Sequence, residues 1–251
     1  MKITVNGNAL YYRFDGPKDA PVVMMAHAMG TSHRIWDWQM AALTDRWRVL
    51  RYDWLGHGDT AAPPGPYSLD GFVADAVGLM DALGLPKVHW VGISTGGMIG
   101  QGMGITHGDR LHSLSLCNTT PQATPWYREW VAERQAVVRK DGMPPVWDMT
   151  KRLWFTDAFV DAESPAYCVI RDVFNATPIE GYLSGTSAVA DLAYRDSLVQ
   201  RELLEPVDDA EFLRWFDWLG LQRHIKVLGI FSRLWLRDGK AGYLESELIH
   251  Q

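Results

Sequence analysis

The chain has 251 residues, of which 47% are apolar, and this content can fill the core of one large α/β domain or two small ones. Such a composition excludes disordered, collagen-like and disulfide-stapled proteins. Thirty acidic and 24 basic side chains give a net charge of −6, so the chain lacks the excess of positive charge with which proteins bind polyanions. We therefore expect neither nucleic acid nor a membrane surface as a partner.

The cysteines and the N-terminus bear on the compartment. Cys117 and Cys168 lie in apolar stretches of sequence, which favours two reduced core thiols over one optional disulfide. The first residues alternate apolar and polar side chains and lack the apolar run of a signal peptide, and no later run approaches the ~18 residues of a membrane span. A cytoplasmic protein is the expectation.

Short apolar runs alternate with helical patterns in the first half of the chain. Residues 2–14 predict a β-hairpin that turns at Asn6-Gly7-Asn8. The apolar runs predict buried strands at 22–26, 49–52, 88–93 and 114–116, with helices over about 35–43, 69–83 and 95–107. This alternation predicts an α/β fold with a mostly parallel sheet covered on both faces.

The pattern then changes to helical pieces rich in aromatic side chains, broken at 142–145 and 177–178. The chain has 12 tryptophans, so large aromatic surfaces are expected. An aromatic insertion after a strand predicts a lid over a pocket, although a helical subdomain packed for stability is the alternative. The predicted division is a core over 1–124, a lid over 125–187 and a divergent segment over 188–251.

The C-terminal segment is predicted to be helical. Asp208 and Asp209 resemble a helix N-cap, and apolar side chains follow at roughly helical spacing. The stretch 225–231 also fits a buried strand, because a short apolar run has no decisive period. Helix is favoured there.

The sequence Gly92-Ile93-Ser94-Thr95-Gly96 is a G-x-S-x-G pattern between a predicted strand and a predicted helix. A chain that reverses so abruptly strains its central residue, and the glycines give the turn room. The pattern predicts that the Ser94 hydroxyl stands at a helix N-terminus, where backbone amides favour a developing negative charge. That placement suits a nucleophile in acyl transfer.

Two loops support this site. His27-Ala28-Met29-Gly30 follows the strand at 22–26, and we expect the backbone amides of Met29 and Thr95 to bind the oxyanion. Tyr52 to Thr60 closes the strand at 49–52 with glycines that permit a tight turn. His57 in this loop is interpreted as fixing the loop, with a role as general base as the alternative.

The stretches HAMG, YDWLGHGDT, VGISTGGMIGQ and LCNTT resemble the α/β-hydrolase fold, and more narrowly the 3-oxoadipate enol-lactonase group of esterases and lactonases. The resemblance covers residues 1 to about 198 and departs at Leu55 and Thr60. It implies Ser94 as nucleophile, Met29 and Thr95 as oxyanion donors, and a lid. Serine at the elbow argues against the dehalogenase and epoxide-hydrolase branches, which use a carboxylate.

The family pattern stops before the strands that carry its catalytic Asp and His. From about Val207 the sequence instead resembles the helical tail of aminoglycoside-phosphotransferase-like amino-sugar kinases, without their catalytic loop. This suggests a truncated hydrolase fused to a piece of a kinase.

A serine hydroxyl is a poor nucleophile unless a base takes its proton. His224 is the first candidate base and His250 the second, although His224 also fits a surface position. The possible orienting acids are Asp208, Asp209, Asp217 and Asp238. His33, His89, His107 and His112 are expected to be structural or surface residues, and no cluster has the spacing of metal ligands.

The predicted function is a cofactor-free serine hydrolase of small esters or lactones, of low efficiency because its usual Asp and His are missing. The alternative is an impaired oligomeric remnant that binds without turnover. A homodimer or higher homo-oligomer is expected, because the strand at 114–116 is left at a sheet edge and the tail is aromatic on several sides.

Overall fold

The computed structural model describes residues 1–201, and the structural statements below concern that part of the chain. The N-terminal hairpin joins β1 (Lys2–Val5) and β2 (Asn8–Asp15) in antiparallel register, with Val5 opposite Asn8. Asn6 and Gly7 turn the chain with positive φ of 49° and 82°. These are conformations that asparagine and glycine tolerate, so the hairpin lies where the sequence predicts it.

The remaining strands are β3 (Val22–Ala26), β4 (Arg48–Tyr52), β5 (Val88–Ile93) and β6 (Leu111–Cys117). Within residues 1–201 the sheet has the order β1-β2-β4-β3-β5-β6, and β3 pairs in parallel with both β4 and β5. The mostly parallel sheet predicted from the alternating pattern is therefore confirmed.

Strand β6 is longer than predicted. It pairs with β5 along one side only and is the edge strand of the described sheet. Leu114 and Leu116 are 37% and 42% exposed, and His112 and Ser113 are exposed as well. A strand in this position alternates in polarity, so its ends carry no apolar run from which its full length could be predicted.

The edge position of β6 also corrects the expectation for the cysteines. Both are free thiols, but Cys117 is exposed and Cys168 is only partly buried, so neither is a core thiol. The apolar neighbours of Cys117 belong to an edge strand rather than to a covered one.

Helices cover the sheet between its strands. A 3₁₀ helix (His33–Gln39) leads into α1 (Met40–Leu43), and the longer elements are α2 (Leu69–Ala82) and α3 (Thr95–Thr106). The helical stretch predicted over about 35–43 is therefore a 3₁₀ helix up to Gln39 and one α-helical turn after it. The Ser68 hydroxyl caps α2 by accepting from the Gly71 amide at 3.0 Å, which satisfies an amide that a helix start leaves unpaired.

Six helices follow β6 within the described chain, and the first five are α4 (Pro125–Asp141), α5 (Met143–Trp154), α6 (Asp157–Asp161), α7 (Pro165–Asn175) and α8 (Ile179–Ala190). We call α4 to α8 the helical cap. Gly142, with φ of 78°, separates α4 from α5, and Pro178 precedes α8, so the predicted breaks are confirmed. The short helix α9 (Arg195–Gln200) ends the described chain.

Two hydrophobic clusters hold the sheet and the helical cap. One packs α2, α3 and the sheet around Trp54, Trp90 and Leu79, and the other packs the cap around Trp147, Tyr167 and Phe174. Met29 contacts both clusters, so the loop after β3 lies where the cap meets the sheet. Met1–Arg201 forms one compact unit, and the division of the chain at 124 and 187 stays a prediction.

None of the helices described for residues 1–201 combines the length and apolar character that a bilayer crossing requires. The predicted C-terminal helices, including the stretch 225–231, lie outside the described residues.

Candidate active site

Ser94 occupies the turn between β5 and α3 with φ of 52° and ψ of −115°, a conformation that a non-glycine residue rarely adopts. Gly92 makes the turn possible, because a Cβ at that position would clash with the carbonyl of Gly96 and lie 2.7 Å from the amide nitrogen of Gly97. The strained elbow predicted from the G-x-S-x-G pattern is therefore present. It sets Ser94 at the N-terminus of α3.

The backbone of Ser94 is held on two sides. Its amide donates to the Cys117 carbonyl at 2.9 Å, and its carbonyl accepts from the Thr119 hydroxyl at 2.9 Å. Gln101, buried on α3, donates to the Thr120 carbonyl at 3.1 Å and so fixes the segment that carries Thr119. Thr119 and Gln101 lie in the stretches LCNTT and VGISTGGMIGQ that carry the family resemblance, but sequence reasoning assigned neither of them a role, because their contacts depend on the fold.

The loop after β3 lies directly against the elbow. The Gly96 amide donates to the His27 carbonyl at 3.1 Å, and a Cβ on Gly96 would lie 2.9 Å from the Cβ of Ala26. Within the described chain, the backbone amides of Met29 and Thr95 donate to no acceptor, although their neighbours Gly30 and Gly96 both do. Unpaired amides of this kind can receive an oxyanion.

His57 fixes the loop that carries Met29. Its Nε2 accepts from the Gly30 amide at 3.0 Å, and the ring lies 3.6 Å, centroid to centroid, from Trp54. Burial lowers the pKa of His57 well below its usual value, and nearby His27 lowers the pKa further. The Leu55 carbonyl raises the pKa, but by less than burial lowers it. The ring is therefore neutral and its acceptor nitrogen is occupied by a structural hydrogen bond, which favours the loop-fixing interpretation.

A second polar cluster lies beneath this loop. His33 donates its backbone amide to Asp53 at 2.6 Å, its Nδ1 lies 3.0 Å from the same carboxylate, and the Asp59 amide donates to Asp53 at 2.9 Å. Burial alone would raise the pKa of Asp53, but the His33 hydrogen bond, the charges of His27 and His33, and the Asp59 amide together lower it. Asp53 is a buried carboxylate that holds two loops together.

Atoms of His33, Asp53 and Asp59 that could serve as metal ligands lie within 4.8 Å of one another. Sequence spacing does not indicate this grouping, because 20 positions separate His33 from Asp53. Both Asp53 oxygens already accept hydrogen bonds from the protein, so the donor set is committed to the fold.

Ser94 opens into a cavity of about 460 Å³, which lies in the usual range for small-molecule sites. The described lining combines apolar and aromatic side chains from the sheet, the 3₁₀ helix and the cap with a few neutral polar groups. These residues are Ala28, Thr31, Ile35, Trp36, Gln39, Ile93, Ser94, Asn118, Leu153, Trp154, Phe155 and Ile170. The helical cap therefore supplies one wall of the cavity over the serine.

The cap also packs closely on the loop that carries Met29. A Cβ on Gly30 would lie 2.6 Å from the Phe174 ring of α7, and a Cβ on Gly185 of α8 would lie 3.2 Å from the Met29 sulfur. At Gly30, whose φ is 69°, a side chain would be strained and too close to the Phe174 ring, and at Gly185 a side chain would require the Met29 side chain to shift, so the cap and the loop pack closely on each other.

Among residues 1–201 the Ser94 hydroxyl has no hydrogen-bond partner, and the described histidines are engaged elsewhere. The Nδ1 of His89 lies 2.9 Å from the Ser113 hydroxyl, that of His107 lies 2.8 Å from the Thr106 hydroxyl, and the ring of His112 packs on His89. The predicted base His224, the second candidate His250 and the acids Asp208, Asp209, Asp217 and Asp238 lie outside the described residues.

Four features together define a hydrolase of the α/β type. They are the mostly parallel sheet, the serine at a strained strand-to-helix turn, the neighbouring loop whose amides are free in the described chain, and the helical cap above them. The comparisons with known proteins agree. Residues 21–141 match the family model of the alpha/beta hydrolase fold. Over 196 residues the chain is 30% identical to 3-oxoadipate enol-lactonase 2 of Acinetobacter baylyi, covering 78% of this chain and 73% of that protein. The chain belongs to the alpha/beta hydrolase family.

Solved structures give the same result. The enol-lactonase from Burkholderia xenovorans is 37% identical with a TM-score of 0.72, over 76% of this chain and 75% of that one. A hydrolase from Pseudomonas aeruginosa is 33% identical with a TM-score of 0.75, over 80% and 76%. These comparisons give no support to the resemblance between the C-terminal segment and kinases.

Proposed function

We propose that the chain is a carboxylic ester hydrolase, an esterase or lactonase, that acts through an acyl-enzyme on Ser94. The observation that carries the proposal is the strained Ser94 at the N-terminus of α3, opening into a cavity of about 460 Å³. Two relatives, both enol-lactonases, favour a lactone or a small ester as substrate.

In the proposed mechanism the Ser94 hydroxyl oxygen attacks the substrate carbonyl while its proton passes to a base. The tetrahedral intermediate accepts hydrogen bonds from the backbone amides of Met29 and Thr95, which are free in the described chain. As the intermediate collapses, the base gives the proton to the leaving oxygen: an ester releases its alcohol, whereas a lactone opens with its new hydroxyl or enol still on the acyl group, and in both cases an ester is left on Ser94. Water then attacks this ester, releases the acid and restores the hydroxyl.

His224 is the proposed base. Since positioned proton transfer contributes typically ~10²–10⁴-fold, a base that is poorly placed would leave acylation by activated esters but slow turnover. A second candidate function, binding without turnover, is favoured by one observation: no described side chain contacts the Ser94 hydroxyl through a hydrogen bond.

A rapid-mixing measurement with p-nitrophenyl acetate separates these functions, because this leaving group needs little acid assistance. The proposal predicts a burst of p-nitrophenolate close to one equivalent per chain, followed by slow turnover. Ser94→Ala should abolish the burst. A wild-type protein without a burst would support binding alone, and a burst that persists in Ser94→Ala would place the nucleophile elsewhere.

A further inference from the structure

The described lining of the Ser94 cavity is apolar and uncharged, which bears on the charge of its substrate. Its apolar wall combines Ile35, Ile93 and Ile170 with three aromatic rings, those of Trp36, Trp154 and Phe155. The polar members of the described lining are Thr31, Gln39, Asn118 and Ser94 itself, and all of them are neutral. In the described part of this wall a ligand meets no charged side chain.

The arginines nearest in sequence to the lining are also committed. Arg34, beside Ile35, lies 3.6 Å from Asp37. Arg152, beside Leu153, pairs with Asp157 and lies 3.0 Å from Asp161. Each guanidinium therefore already has a carboxylate partner.

Arg171, beside Ile170, follows the same pattern, since it lies 3.1 Å from Asp172 and 3.3 Å from Glu163. The three arginines thus face their own ion pairs on the protein surface. None of them is left as a free cation for a ligand carboxylate.

The rim of the cavity is apolar, like its lining. Leu153 is 67% exposed and Trp154 is 40% exposed, so the cap presents apolar side chains to solvent beside the serine. Exposed apolar surface at a cavity mouth favours an apolar ligand. A ligand carboxylate that entered here would lose its hydration without gaining a counter-ion from the lining that residues 1–201 supply, which is costly.

We infer that the substrates of the Ser94 site are uncharged esters or lactones whose acyl part is apolar or aromatic, and that acyl groups ending in a carboxylate are rejected. This inference rests on the proposed function for the nucleophile. It separates the chain from relatives named for 3-oxoadipate, because the enol-lactone of a dicarboxylic acid keeps one free carboxylate.

The first test compares two esters of equal acyl length and identical leaving group, p-nitrophenyl pentanoate and mono-p-nitrophenyl glutarate. The readout is the second-order rate of Ser94 acylation from the p-nitrophenolate burst. The uncharged ester should acylate Ser94 at least about 100-fold faster, because only the glutarate must leave a charge unpaired in the cavity. Equal rates, or a faster glutarate, would overturn the inference.

The second test removes catalysis. Trp36 and Trp154 line the cavity, so quenching of tryptophan fluorescence in Ser94→Ala can report binding of pentanoic acid anilide and of glutaric acid monoanilide. The neutral anilide should bind at least about 100-fold more tightly. This preference without a burst in the wild type would refute the proposed nucleophile and keep the ligand class, whereas a burst without the preference would refute the ligand class alone.

A third test supplies the absent cation. Gln39 is exposed and lines the cavity, so Gln39→Arg adds a guanidinium at its rim, and Gln200→Arg on α9 adds the same charge away from the lining. Gln39→Arg should shift the ratio of the two acylation rates toward the glutarate at least about tenfold, while Gln200→Arg leaves the ratio unchanged. No shift in a folded Gln39→Arg protein would overturn the claim that acids are excluded for want of a counter-ion.

Discussion

Replacing His57 distinguishes a histidine that positions the oxyanion loop from one that takes the proton of Ser94. In the structure its Nε2 accepts from the Gly30 amide at 3.0 Å, next to the Met29 amide that we assign to the oxyanion. His57→Phe removes this acceptor. His57→Gln keeps an acceptor, the amide oxygen, at about the position of Nε2 but provides no useful base.

The expected loss of stability follows from the hydrogen bonds that the two ring nitrogens of His57 make or lack. Loss of its acceptor leaves the buried Gly30 amide unpaired, at a cost of about 1–3 kcal/mol. Nδ1 of His57 is buried and, apart from the Leu55 carbonyl that acts on the ring's pKa, meets no hydrogen-bond partner in the described chain, so its removal returns part of that cost. We expect His57→Phe to lower the free energy of unfolding by about 1–2 kcal/mol, which corresponds to a fall in Tm of roughly 2–8 °C for a chain of this size.

The assay combines a melting curve with the rate of Ser94 acylation by p-nitrophenyl acetate. His57→Phe should slow acylation by no more than about tenfold, since about 1.4 kcal/mol of misplaced oxyanion stabilisation corresponds to that factor. His57→Gln should recover most of both the Tm and the rate.

The reasoning would be refuted by the opposite pattern. A general base contributes ~10²–10⁴-fold, so both variants would then lose acylation to that extent while Tm stayed close to the wild type. Equal loss in the Phe and Gln variants without unfolding would move the base from the C-terminal segment to His57.

Four further predictions follow from the fold and the site. Gly92→Ala should destabilise the protein by about 3 kcal/mol or more because its Cβ meets backbone, whereas Gly108→Ala, with no atom within 4 Å, should leave Tm nearly unchanged on a melting curve. Burial lowers the pKa of His27 from 6.5 to about 4, so the unfolded chain takes up its proton first as the pH falls and the free energy of unfolding should decline by about 3 kcal/mol between pH 6.5 and 4. Urea titrations of His27→Asn should show a flatter decline than those of the wild type, and an equally steep decline would contradict this assignment. His224→Ala should remove most of any steady-state turnover of p-nitrophenyl acetate and slow the burst while its amplitude persists, and undiminished turnover would exclude His224 as the base. A homodimer, expected from the exposed Leu114 and Leu116 on the edge strand β6, should give twice 28.3 kDa by light scattering after size exclusion, and a monodisperse species of 28.3 kDa would contradict it.

The central strands β3, β4 and β5 could be predicted from the sequence because they are largely buried and form apolar runs. Strand β5 (Val88–Ile93) agrees residue for residue with its prediction. Where the environment is less uniform, the pattern fails: β6 at the sheet edge is underestimated, and the turn at His33–Gln39 is a 3₁₀ helix that apolar spacing does not separate from an α-helix.

The elbow could also be predicted, because its strain needs glycines at fixed positions around Ser94. The hydrogen bond from Thr119 to the Ser94 carbonyl could not, since it depends on where the chain passes after β6 rather than on a motif. The cavity lining was likewise invisible, because it joins residues such as Ile35 and Ile170 that are distant in sequence. The base, His224 or another residue, stays a prediction.

The most direct test of the central claim is covalent labelling of the nucleophile. After treatment with a fluorophosphonate, intact-mass measurement of the full chain should show a single adduct, and peptide mapping should place it on Ser94. Ser94→Ala, with a melting curve like that of the wild type, should remain unlabelled. An adduct on another residue, or labelling of Ser94→Ala at the wild-type rate, would contradict the assignment of Ser94 as the nucleophile of this hydrolase.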